Sequence, residues 1–99
     1  MIRKASLPLR TLVDYCDREL NLSGIADWPG AVNGLQVENR HGVSRVAAAV
    51  DASLATVRMA LEREADLLLV HHGLFWGSRH PWTGVNYELI RLLVESDLA

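Results

Sequence analysis

Residues 66–73 read Asp-Leu-Leu-Leu-Val-His-His-Gly, an apolar run that ends in two adjacent histidines and a glycine. Short runs of this kind suit a buried strand covered on both faces, as in a parallel sheet. Open α/β sheets hold their ligands beyond the carboxyl ends of the strands. His71 and His72 stand where such a strand would end, and the rest of the chain reads as scaffold for that edge.

The neighbouring segments supply a β–α–β unit. Residues 43–51 are ambiguous, because Ala47, Ala48 and Ala49 favour helix by intrinsic propensity. The flanking valines, the short length and the sharp stop favour strand. Ser53 is a good N-cap for a helix over 53–64, in which Leu54, Val57 and Leu61 share one face. Arg58, Glu62, Arg63 and Glu64 then form a solvated face. Strands at 43–51 and 66–71 would be parallel and joined right-handedly. Ahead of this unit, Pro8 suits a first helical turn, and Leu9, Leu12, Val13, Cys16 and Leu20 recur at helical spacing over residues 8–20. Cys16 lies on that apolar stripe with no basic neighbour to activate it, so it reads as a buried structural thiol. A last helix is expected at 85–96, from Val85, Leu89, Leu92 and Leu93.

The intervening loops carry unusual composition. Asn33-Gly34 is a strong turn signal, and residues 35–37 fit either a short edge strand or part of a functional loop. Phe75, Trp76 and Trp82 fit a binding wall or, as the safer default, core or interface packing.

Bulk properties exclude several classes. The chain has 99 residues, enough for one small domain or a piece of a larger one, and 49% of them are hydrophobic. A net charge of −2 gives no general attraction to nucleic acid or anionic membranes. Cys16 is the single cysteine, so no internal disulfide forms. The first residues lack the apolar core of a signal peptide, and no run approaches a membrane span. These features point to the cytoplasm. The abrupt finish after the last helix gives the chain the look of a truncated segment.

Neutral imidazole is the commonest side-chain metal ligand. Consecutive strand residues face opposite ways, however. Either the backbone turns at Gly73, or only one histidine faces a site, or the two serve two metals. A catalytic zinc centre wants about three protein ligands and an open position, so two histidines are too few. Asp51, at the neighbouring strand end, fits either a supporting carboxylate or a helix cap. His41 and His80 lie among polar loop residues and read as ordinary surface histidines.

Three motifs in order, Asn33-Gly34-Leu35-Gln36-Val37, Ala49-Val50-Asp51-Ala52-Ser53 and the stretch from Asp66 to Trp76, are far more specific together than singly. Together they resemble the N-terminal portion of the NIF-three-like family of type-two GTP cyclohydrolase-like proteins. The resemblance covers about residues 8–99. It implies an α/β fold, part of a larger two- or three-layer architecture, and a dinuclear site with His71 and His72 as metal ligands. Divalent zinc, iron or manganese would be the cofactor, with Asp51 as a supporting residue behind the ligands. The resemblance further implies metal-dependent hydrolysis, a small-molecule substrate such as a nucleotide, and oligomers, often hexamers. The family's remaining ligands fall beyond the position of Ala99, so the expectation is an incomplete site and a chain inactive by itself. The rival expectation is a non-catalytic oligomerisation or protein-interaction module.

Overall fold

A computed structural model of the chain describes residues 5–75 and 80–99. Helix α1 spans Leu9–Glu19, strand β1 Val46–Asp51, helix α2 Leu54–Glu62, strand β2 Leu67–His72 and helix α3 Val85–Glu95. Strands β1 and β2 pair in parallel, with Val46 opposite Leu67 and Asp51 opposite His72. The alanine run therefore resolves to strand. Helix propensity is a weak prior, and pairing with the apolar β2 overrides it.

The sheet is covered unequally. Val57, Ala60, Leu89, Leu93 and Leu98 form the main core, and Ala47 and Leu68 pack against it. This places α2 and α3 on the face that carries Ala47, Ala49, Leu68 and Val70. Leu9 and Leu12 of α1 pack on Val43, Leu67 and Ala99 on the other face. That second face is only partly covered: Leu67 is buried, while Leu69 is 41% and Val50 63% exposed. The expectation of a strand buried on both sides thus holds for the first residues of β2 and fails towards its carboxyl end.

Two further expectations are corrected, for β1 and Cys16, and the open choice at residues 35–37 is decided. β1 begins at Val46 rather than Val43, because the Asp66 carboxylate takes the Ser44 and Arg45 backbone N–H groups at 2.8 and 3.0 Å and bends the chain there. Val43 instead makes an antiparallel bridge to Leu7. Residues 35–37 form no strand, since their local order comes from the Gln36 side chain, described below. Cys16 is half-buried rather than buried, because it borders a cavity.

Local chemistry fixes the helix that leads into β2. Ser53 caps α2 by accepting from the Thr56 N–H at 3.1 Å, and Thr56 Oγ1 accepts from the Ser53 N–H at 2.9 Å. This reciprocal pair satisfies two backbone donors left open at the helix start. At Gly42, φ is +83° and an added Cβ would lie 2.7 Å from the Leu7 carbonyl oxygen, so no other residue fits without backbone movement. No helix among the described residues is long and apolar enough to cross a membrane.

Candidate functional site

β2 delivers His71 and His72 to its carboxyl end as its last two residues. Regular alternation would send their rings to opposite faces. Their centroids are 4.5 Å apart, with the planes tilted by 50°. The two imidazoles therefore lie close together at the strand end although both residues belong to the strand.

Asp51 is the last residue of β1 and the register partner of His72. Its Oδ1 lies 2.8 Å from His72 Nδ1. With an ionised carboxylate there, Nδ1 carries the proton and donates, so the lone pair of the neutral ring sits on Nε2. The alternative reading of Asp51 as a helix cap does not apply to its side chain. Ser53 and Thr56 occupy that role, and only the Asp51 backbone carbonyl joins in, accepting from Thr56 Oγ1 at 2.7 Å.

The loop before β1 reaches the turn that follows the histidines. Gln36 holds it there: its Oε1 accepts the Phe75 N–H at 3.0 Å, while its Nε2 donates to the carbonyls of Val32 and Gly34 at 2.5 and 3.3 Å. The Val32 N–H donates to the Phe75 carbonyl at 3.1 Å. Gly73 allows this approach, because an added Cβ would come within 3.0 Å of Gln36 Oε1. The motif around Asn33-Gly34 is thus a clamp on the turn that follows the histidines.

Asp27 belongs to the same loop. Its carboxylate accepts from the Trp28 N–H at 2.8 Å and from Asn33 Nδ2 at 3.1 Å. Asn33 and the Trp28 N–H hold the Asp27 carboxyl below its usual range, with a smaller electrostatic pull from His71. Asp27, Asn33, Gln36 and His71 line one cavity of about 350 Å³ whose floor is apolar. Sequence reasoning missed Asp27 and the clamp made by Gln36. The unusual composition around Asn33-Gly34 was the available signal.

The remaining candidates lie elsewhere. His80 stacks edge-on to Trp82 at 5.1 Å, and Trp82 meets Phe75 at 5.8 Å. The third aromatic of that group, Trp76, lies outside the described residues. His41 is not an ordinary surface histidine: it bridges Asp66 and Asp97 at the far end of β2.

Together, fold and site define a parallel α/β protein with paired histidines at a strand end, one of them oriented by a carboxylate. The family model for DUF34/NIF3 (NGG1p interacting factor 3) matches residues 8–99. The chain belongs to this family. A protein of Pseudomonas aeruginosa named GTP cyclohydrolase 1 type 2 homolog is 39% identical over 95 residues, covering 95% of this chain and 37% of that protein. Its Deinococcus radiodurans namesake is 50% identical over 68 residues, covering 69% of this chain and 26% of the relative. The crystal structure of TTHA1606 from Thermus thermophilus superposes with a TM-score of 0.81 at 42% identity, covering 90% of this chain and 36% of that one. The chain thus spans roughly a third of the length of the proteins it matches.

Proposed function

We propose that this chain supplies the histidine part of a dinuclear divalent-metal site in a metal-dependent hydrolase of the GTP cyclohydrolase type-two-like kind. His71 and His72 are the metal ligands in this reading, and Asp51 positions His72. The observation that carries it is the 2.8 Å contact between Asp51 Oδ1 and His72 Nδ1 beside the second imidazole. Metal-ligating histidines almost always donate their other ring N–H to such a partner.

The donor set suits zinc, iron or manganese, since imidazole and carboxylate serve these ions. Among the described residues, no group of three or more His, Cys, Asp or Glu is placed to hold a metal ion. In this reading the chain supplies part of a ligand set. When bound, the ions would lower the pKa of water and polarise a substrate oxygen. The chain's own residues hold the imidazoles in place: Asp51 fixes the His72 tautomer, and Gln36 fixes the turn behind the pair. The cavity beside His71, about 350 Å³, is in the size range of small-molecule pockets. Asp27 and Asn33 offer an acceptor and a polar edge there, which suits a nucleotide-sized substrate with N–H donors.

Equilibrium dialysis against zinc, manganese or ferrous iron tests the reading. Retention by the wild-type chain and its loss in a His71→Ala, His72→Ala double variant are expected. Equal retention by both overturns the assignment. With a partial ligand set, turnover of GTP or simple phosphoesters by this chain should not exceed that of the double variant. Precise positioning is worth about 100-fold in rate per ångström.

A second reading, an oligomerisation module, is favoured by the exposed Val46, Val50 and Leu69. By register these residues share one sheet face. Metal-free protein that self-associates tightly through this face would favour this second, non-catalytic reading over the first.

A further inference from the structure

His41 lies in the bend before β1, and both of its ring nitrogens meet carboxylates. Nε2 is 2.7 Å from Asp66 Oδ1, and Nδ1 is 2.5 Å from Asp97 Oδ2. Asp66 immediately precedes β2, and Asp97 follows α3 in a left-handed conformation with φ +54°. A neutral imidazole has one N–H and one lone pair. In this geometry its lone pair would point at a carboxylate oxygen at hydrogen-bond distance. Only the imidazolium donates to both partners.

The carboxylates are poor alternative homes for the proton. Asp66 Oδ2 already accepts the Ser44 N–H at 2.8 Å, the Ser44 hydroxyl at 2.9 Å and the Arg45 N–H at 3.0 Å. Asp97 Oδ1 accepts the Arg40 N–H at 2.9 Å. Among the described residues, the charged neighbours are few. Arg40 favours the ionised form of Asp97. The Arg45 guanidinium is directed to the Arg63 carbonyl at 2.7 Å and to Glu64 at 3.9 Å.

Three segments converge on this point. Asn39 Nδ2 donates to the carbonyls of Gly42 and Asp66 at 2.9 and 3.0 Å. The Ala99 N–H donates to the same Asp66 carbonyl at 3.0 Å, and the Leu68 N–H donates to the Ala99 carbonyl at 2.7 Å. Residues 98–99 thereby return from α3 to the flank of β2, and Leu98 is fully buried.

We propose that His41 is a proton-operated fastener whose imidazolium ties the bend before β1 and the return from α3 to the start of β2, and whose deprotonation loosens that junction. The ring is half-exposed, 50% accessible, so solvent reaches it. Asp66 and then Asp97 hold the His41 imidazole above its usual value of 6.5. Burial pushes the Asp66 carboxyl up, but the bonds from His41, Ser44 and Arg45 outweigh it and leave the group far below the ordinary carboxylate range. Linkage gives the sign. The His41 contribution is fully present below 6.5 and is lost as pH rises through the elevated folded value. The carboxylate contributions are lost as pH falls through their depressed values. The fastener holds between those limits.

Long-range ¹⁵N spectra of the histidine rings, followed across pH, test the proposal. His41 should show two protonated ring nitrogens at pH 6.5 and titrate above that value. Asp97→Asn, which an asparagine tolerates at positive φ, should move the midpoint back towards 6.5. Above the midpoint, amide exchange at Leu68 and Ala99, corrected for intrinsic rates, should speed up in the wild type more than in Asp97→Asn. A midpoint at or below 6.5 in the wild type overturns the proposal. So does an unchanged midpoint in Asp97→Asn, or amide protection indifferent to the His41 titration.

Discussion

Asp51 shows how one side chain's role depends on what its neighbours already do. Ser53 and Thr56 complete the α2 cap between themselves, which leaves the Asp51 carboxylate for His72. Replacing it by asparagine keeps the size but allows either ring tautomer. Asp51→Asn should therefore weaken zinc binding about 10–100-fold, read by competition with a chromophoric chelator. The fold should be unchanged, because the Asp51 side chain is 63% exposed. Unaltered affinity would mean that the contact does not position a ligand. His71 and His72 were legible from sequence because they are adjacent and end an apolar run. Gln36 was not, because it meets Phe75, 39 positions along the chain; nor was Asp27, whose bonds are local but whose nearness to His71 spans 44 positions. Periodicity carries no information about such pairs. His41 was misread for the same reason, since its carboxylates lie 25 and 56 positions on.

The elements themselves were largely legible, because each helix shows an apolar face and the strands are short and valine- or leucine-bounded. Their ends were less so. The start of β1 is set by the carboxylate of Asp66, 21 residues beyond the Arg45 N–H it accepts, and no pattern within 43–51 reveals that. The sequence at 35–37 fits an edge strand and a functional loop alike, and the Gln36 side chain decides for the loop. Gly42 is the point at which the bend before β1 depends most on residue type. Gly42→Ala must accept both φ +83° and a backbone oxygen at 2.7 Å. It should cost about 1–3 kcal/mol or more, measured as a lowered urea midpoint with an unchanged slope. A neutral result would show that the bend can relax away from Leu7 at no cost.

For the molecule as a whole, the unequal covering of the sheet is the main consequence. α2 and α3 bury one face, while Val50 and Leu69 remain exposed towards the histidine end of the other. Contiguous apolar surface of this kind favours association. Sedimentation at roughly tens of micromolar, a concentration typical of weak association, should show dimers or larger species, and Val50→Lys with Leu69→Lys should shift them to monomer. A clean wild-type monomer contradicts this. Family membership was legible because three motifs occur in order over nearly the whole chain. The metal reading rests on the strand-end pair, and zinc X-ray absorption tests it most directly. The zinc-loaded chain should show nitrogen ligands at about 2.0–2.1 Å with the outer scattering pattern of two imidazoles, absent from the His71→Ala, His72→Ala variant. A zinc environment of oxygen ligands alone, or one identical in the two proteins, would contradict the account.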